Sequence, residues 1–169
     1  MISNITMKKL LSKHKIRSIH RILPDDAYPI WKKCDAVSRP YWGVASFWGM
    51  DKQPIPSHQN LSQLEWDGNE IHLEATSPED VTNILRKAVG IMRFWKEYLE
   101  ARYPDTPFYL IATFNDGNVQ ILDTDDTPTQ SVTLRFWAER GSNDIIALDD
   151  FKIWEQPAII GYCNFRHIG

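Results

Sequence analysis

The chain of 169 residues contains only two cysteines, Cys34 and Cys163, and no long hydrophobic run. Two cysteines far apart in sequence are too few for a disulfide framework, so we expect two reduced thiols, with one long-range bridge as the alternative. No segment reaches the roughly 18 apolar residues of a membrane-spanning helix, and the basic N-terminus has no secretory apolar core. We therefore expect a cytoplasmic protein with no membrane partner, translated from Met1 or Met7.

Signatures of metal, nucleotide and covalent chemistry are also missing. No glycine-rich phosphate loop and no nucleophile elbow occurs, and the five histidines form no metal-binding pair at helical spacing. The acidic run at 123–126 resembles a calcium loop but lacks its glycine and its closing glutamate. The sequence thus predicts no metal, no cofactor and no recognisable catalytic residue, and an enzyme with a site assembled from His58, His72 or the acids is kept as an alternative.

The composition is that of a folded, aromatic-rich protein. Hydrophobic residues make up 43% of the chain and charged residues 24%, which is typical of globular domains. A chain of this length buries a full core without disulfides or metals, so we predict a single domain over 1–169.

The clearest predicted element is a long amphipathic helix at about 77–102. Ser77 is a suitable N-cap, Pro78 suits the first helical position, and apolar residues then recur at helical spacing. Tyr103-Pro104 ends the pattern, because proline cannot extend a helix.

Strands dominate the second half of the sequence. Compact apolar runs predict strands at 108–114, 131–139 and 158–165, and residues 119–122 read as a further strand. In the strand at 131–139, Trp137 falls on the polar side, either packed under a helix or exposed. Together with the long helix, this pattern predicts an α+β fold, with an antiparallel sheet of about five or six strands.

The first half of the sequence is harder to interpret. Residues 5–23 favour an N-terminal helical segment, with a strand over 16–23 as the alternative, and residues 27–37 favour a second, short helix. Alternating apolar and polar residues on either side of Asp67-Gly68-Asn69 predict a β-hairpin over 64–74. In that hairpin Leu64, Trp66, Ile71 and Leu73 point to the core, and Glu65, His72 and Glu74 point to solvent.

Charge is distributed unevenly along the chain. Residues 1–21 carry six basic side chains and no acid, whereas residues 116–150 carry eight acids and two arginines. Such asymmetry bears on partners rather than on fold. The acidic stretch favours a basic partner, and the basic arm from Lys8 to Arg21 favours the alternative of a nucleic-acid-associated regulator.

In its general character, as a small acidic α+β domain rich in aromatics with Asp-rich connections, the chain resembles the immunity proteins of bacterial contact-dependent inhibition and polymorphic toxin systems. The resemblance implies a cytoplasmic protein that binds and neutralises one cognate toxin, often a nuclease. A charge field opposite to that of the toxin and rigid aromatic anchors would serve this role. The predicted partner-binding residues are Asp123, Asp125, Asp126, Trp137, Asp144, Asp149 and Asp150.

Overall fold

The computed structural model of the chain describes residues 1–16, 27–32, 44–47, 61–117, 129–140 and 151–164. The elements in chain order are β1 (Ile2–Ser3), α1 (Ile5–Lys13), β2 (Ile30–Lys32), β3 (Val44–Ser46), α2 (Leu61–Gly68), β4 (Glu70–Glu74), α3 (Val81–Arg102), β5 (Phe108–Asn115), β6 (Ser131–Ala138) and β7 (Ala158–Cys163). Two short 3-10 turns, Pro78–Asp80 and Phe151–Ile153, precede α3 and β7.

Five of the strands form one antiparallel sheet in the order β1-β7-β5-β6-β4. Its centre is the β5–β6 pair, which runs over eight residues from Phe108 opposite Ala138 to Asn115 opposite Ser131. The predicted α+β class, the antiparallel sheet and the three strands of the second half are confirmed. The strand predicted at 119–122 lies outside the described residues.

The long helix α3 covers the inner face of this sheet. Its buried residues recur every three or four positions, so they form one stripe along the helix. Trp95 is the centre of the contact: it is fully buried, its ring lies 5.1 Å from that of Phe136 on β6, and its indole N–H donates to the carbonyl of Ala27 at 3.0 Å. The predicted helix is confirmed. Ser77, however, is the N-cap residue of the 3-10 turn rather than of α3, and its side chain makes no capping bond there.

Asn4 fixes the N-terminal helix to the sheet. This buried side chain accepts a hydrogen bond from the backbone N–H of Met7 at 2.8 Å, which caps α1, and another from the N–H of Ala158 at 3.1 Å. Its amide donates to the carbonyl of Gln156 at 2.7 Å. One side chain therefore joins α1, the start of β7 and the turn before it, and the predicted N-terminal helix is confirmed over Ile5–Lys13.

The hairpin predicted over 64–74 is wrong. Residues Leu61–Gly68 form α2, and only Glu70–Glu74 is a strand. The alternation around Trp66 also fits a helix, in which Ser62 and Glu65 lie one turn apart and face the protein. Glu65, predicted to point to solvent, is completely buried.

The helix predicted over 27–37 is also wrong within the described residues. Ile30–Lys32 is the strand β2, which pairs antiparallel with β3 in a separate two-stranded sheet. The residues that pair with β2 lie 12 to 16 positions further along the chain. A local helical pattern carries no information about such distant partners.

Candidate binding groove on the outer face of the sheet

The outer face of the five-stranded sheet is divided into an aromatic cluster and a polar groove. Side chains alternate along each strand, so residues at every second position of β5, β6 and β4 share this face. The end of β6 nearest Ala138 carries the aromatic cluster, and the end nearest Ser131 carries the groove.

The aromatic cluster is built on Trp137. This ring stacks on Tyr109 of β5 at 5.4 Å, and it meets Trp66 of α2 edge-on at 5.0 Å. Tyr162 of β7 packs edge-on against Tyr109 at 5.6 Å, and burial raises the pKa of its hydroxyl. Trp137 is only 4% exposed, so of the two alternatives for this side chain, packing under a helix is the one observed.

The polar groove lies beside this cluster and has a volume of about 380 Å³. Strands β5 and β6 form its floor, α2 and β4 border it on one side, and the segment before β7 borders it on the other. Its lining consists of Trp66, His72, Ile111, Thr113, Asn115, Ser131, Thr133, Arg135, Trp154 and Gln156.

A chain of polar contacts crosses the floor from β6 to the edge strand. Thr133 lies opposite His72 in the β4–β6 ladder, and its hydroxyl is 3.1 Å from Nδ1 of His72. Nε2 of the same imidazole lies 3.2 Å from the carboxylate of Glu74. On its other side, Thr133 faces Thr113 of β5, so two threonine hydroxyl groups occupy the middle of the floor.

Arg135 occupies the end of the groove next to the aromatic cluster. Its guanidinium lies 4.7 Å from the ring centre of Trp66, which is a cation–π contact. The same guanidinium forms a salt bridge with Glu70, which faces Arg135 across the β4–β6 ladder. The position of Trp66 at the rim is therefore set by both Arg135 and Trp137.

The opposite rim is formed by Trp154 and Gln156. The ring of Trp154 packs edge-on against Phe151 at 5.3 Å. Its carbonyl accepts hydrogen bonds from Thr6 at 3.2 Å and from Asn4 at 3.3 Å. The N-terminal residues thus hold this rim, although they lie about 150 positions away in sequence.

A buried ion pair fixes α2, and with it Trp66, to the sheet. One oxygen of the Glu65 carboxylate accepts from the backbone N–H of Ala45 at 3.0 Å, and the other accepts from that of Ala138 at 2.6 Å. The guanidinium of Arg140 contacts both oxygens, at 2.7 and 2.9 Å. A fully buried carboxylate needs this number of donors, because desolvation otherwise disfavours its charged form.

The neighbouring Asn69 completes this attachment. Its amide donates to the carbonyls of Ala45 and Phe136, and its side-chain oxygen accepts from the N–H of Phe47 at 3.2 Å. The two-stranded sheet and the five-stranded sheet are therefore joined through polar side chains of α2 and of the residue that follows it.

The groove is suited to binding. Thr133, His72 and Glu74 have the residue types of a nucleophile, a base and an orienting acid, but the backbone N–H groups around Thr133 belong to its ladders with β4 and β5. Within these described strands, the ladders therefore leave no pair of free N–H donors beside Thr133 for an oxyanion intermediate. Among the described residues, no group of three or more histidine, cysteine or acidic side chains is arranged to hold a metal ion.

Of the predicted partner-binding residues, the structure describes only Trp137. The other six residues, Asp123, Asp125, Asp126, Asp144, Asp149 and Asp150, lie outside the described residues. Sequence reasoning missed Thr133, Arg135 and Trp154 as members of one groove. Alternation placed the first two on the same face of a strand, but no local signal brings Trp154 beside them.

Comparison with protein-family models, with curated proteins and with solved structures finds no match to this chain. In the described part of the chain, no helix has the length and apolar character needed to cross a membrane.

Proposed function

We propose that this protein is a cytoplasmic immunity protein that binds a cognate bacterial toxin and neutralises it through the outer face of its sheet. The observation that supports this proposal is the groove between Trp66 and Trp154, because ring and cation–π contacts hold both tryptophans in place. Tryptophan, tyrosine and arginine are the residue types that most often dominate binding energy at protein interfaces.

The rims support a binding role because their side chains are already ordered. Trp66 is held by Trp137 and Arg135, and Trp154 packs on Phe151. A partner that contacts them does not have to immobilise free side chains, which otherwise costs about 0.5–1.5 kcal/mol for each one. A rigid site of this kind favours an inhibitor, which has to stay bound.

The two acidic segments connect directly to residues that line or support the groove. Residues 118–128 lie between Gly117 and Thr129, and those ends adjoin the groove residues Asn115 and Ser131. Residues 141–150 are followed directly by Phe151, on which Trp154 packs. The predicted acidic contacts and the groove are therefore neighbours along the chain. Such an arrangement suits a toxin with a basic cleft for nucleic acid.

The test is a calorimetric titration of the full chain against the product of the adjacent upstream gene, together with growth rescue of cells that express that product. We expect a 1:1 complex and restored growth. Reversing the charges at Asp125 and Asp126 should slow association at low salt. A partner that neither binds nor is neutralised would contradict the proposal, and an unchanged association rate would remove those two residues from the interface.

A specific observation also favours a second candidate, the nucleic-acid-associated regulator. The exposed lysines of α1 include Lys9 and Lys13, which line a cavity of about 680 Å³ together with His14. Because Asn4 has a structural role, charge reversal at Lys8, Lys9 and Lys13 is a better test than truncation. A steep salt dependence of RNA or DNA binding that these changes abolish would favour the regulator.

A further inference from the structure

We infer that the groove binds an uncharged, extended segment of the toxin, and that it sets the lifetime of the complex rather than the rate at which the complex forms. This inference rests on the proposed function. It assigns the groove and the acidic segments to different parts of one interaction.

The permanent positive charge that Arg135 brings to the groove already has a counter-charge. Arg135 forms a salt bridge with Glu70, and His72 lies beside the Glu74 carboxylate. A charged side chain entering the groove would have to displace one of these partners, and it would be repelled by the like-charged member of the pair. Since paired charges produce only a weak field at a distance, the groove contributes little to electrostatic steering.

The remaining polar groups of the groove suit a peptide backbone. They are hydroxyls and carboxamides, which both donate and accept hydrogen bonds: Thr113, Asn115, Ser131, Thr133 and Gln156. The oxygen of Asn115 already accepts from the N–H of Gly117 and the amide of Gln156 already donates to the carbonyl of Phe114, so the other end of each carboxamide would meet a ligand. An extended backbone offers alternating N–H donors and C=O acceptors, and groups on one of its sides repeat every two residues, about 6.8 Å. Same-face residues of a strand, such as Thr113 and Asn115, have this same repeat. A segment aligned with β5 or β6 would therefore meet the floor in register.

The two tryptophans supply apolar area on either side of this polar floor. Trp66 reaches the groove from α2, and Trp154 reaches it from the segment before β7. Apolar or flat side chains of an extended segment would lie against these rings, while its amides bond to the floor. Burial of this kind slows dissociation and depends little on salt, whereas exposed acids act mainly on association.

Threonine substitutions separate these contributions. Thr133→Val removes the central hydroxyl but keeps the shape and the strand preference of the side chain, and Thr133→Ser keeps the hydroxyl. Thr82→Val is the matched control, because its hydroxyl also bonds a histidine, at 2.7 Å from Nδ1 of His14, but on the opposite side of the sheet. Association and dissociation rates are measured by biolayer interferometry with the adjacent gene product, at low and high salt.

We expect Thr133→Val to raise the dissociation rate about tenfold at both salt concentrations and to leave the association rate unchanged, since it leaves buried polar groups of the partner unpaired. Thr133→Ser and Thr82→Val should behave like the wild type.

If the wild type binds but Thr133→Val dissociates no faster than Thr82→Val, the inference is wrong and the proposed function stands. If the wild type binds no toxin, both are wrong. Cellotriose, a neutral trisaccharide, is tested as an alternative ligand. If it binds through the Thr133 hydroxyl while Thr133→Val leaves the toxin complex unchanged, the groove is a saccharide site and the inference is wrong.

Discussion

The two faces of the five-stranded sheet carry different kinds of side chain, although the same strands form both. The inner face of β5 and β6 is uniformly apolar, and α3 covers it with Trp95 against Phe136. The outer face changes from buried rings at Trp137 to hydroxyls at Thr133 within four residues of one strand. The strands by themselves therefore do not determine the role of either face. What covers each face decides whether it is buried in the core or lines a groove.

The two faces are also attached to their coverings differently. Packing of α3 on the inner face is apolar, whereas α2, which carries Trp66 to the outer face, is held through Glu65, Arg140 and Asn69 at the edge of β6 beyond the end of β4. Apolar packing tolerates small shifts, but a buried hydrogen-bonded ion pair requires a particular geometry. The ion pair therefore fixes the position of α2, and with it the position of Trp66 at the rim of the groove.

The largest effect is expected on the inner face. Trp95→Ala removes a completely buried ring, and it should lower the free energy of unfolding by about 4 kcal/mol, since the loss of transfer energy and the cavity add. Chemical denaturation measures this change. A loss below about 1 kcal/mol would mean that α3 does not rely on this contact.

Arg140→Ala tests the polar attachment of α2. It leaves the carboxylate of Glu65 buried without its counter-charge, and we expect a loss of about 3 kcal/mol in stability. The double variant Glu65→Leu with Arg140→Leu removes both charges and should recover part of this loss. If the double variant is instead less stable than Arg140→Ala, the ion pair stabilises the fold by more than the cost of leaving Glu65 without a counter-charge.

Cys163 reports on the inner face through its pH dependence. Burial raises the pKa of its thiol to about 12, from 9.0 in the unfolded chain. The unfolded state therefore loses this proton first, and stability falls as the pH rises above 9. The loss attributable to Cys163 should reach about 1.4 kcal/mol at pH 10.

The comparison of wild type with Cys163→Ala in denaturation at pH 8 and pH 10 isolates this contribution, because the other titrating groups are common to both proteins. Equal pH dependence in the two proteins would show that the thiol titrates alike in the folded and unfolded chain.

The groove floor should be almost neutral for stability. Thr133→Val exchanges one β-branched side chain for another, and the hydroxyl that it removes bonds the exposed imidazole of His72. We expect a change in the free energy of unfolding of less than about 1 kcal/mol, whereas Trp95→Ala should lower the same free energy by about 4 kcal/mol. Differential scanning calorimetry of both variants tests this contrast, and a large destabilisation by Thr133→Val would identify the groove floor as part of the structural core.

The smallest effect is expected at His14. Burial and the nearby Lys13 charge lower the pKa of this imidazole, so the unfolded chain takes up a proton first as the pH falls. The contribution of His14 to stability is complete above pH 6.5, the ordinary value, and is lost below it. His14→Gln should remove this part of the pH dependence between pH 7 and pH 5, and an unchanged profile would contradict it.

The sequence alone determined the elements whose cause is local. The stripe from Val81 to Leu99 and the proline at 104 defined α3, and period-two alternation defined β6 and its apolar side. The inner face was predictable for this reason, since a buried face repeats its pattern along each element.

Only the tertiary structure decided the outer face and the groove. Glu65 was predicted to be a solvent-facing strand residue, and it is a buried helix residue, because Arg140, Ala45 and Ala138 supply its donors from distant positions. Trp154 likewise lies at the groove with its backbone carbonyl held by Asn4 and Thr6, about 150 positions away. Hydrogen bonds and ring contacts between remote residues leave no periodic trace in a sequence, so the residues of this candidate site became visible only when the chain was folded.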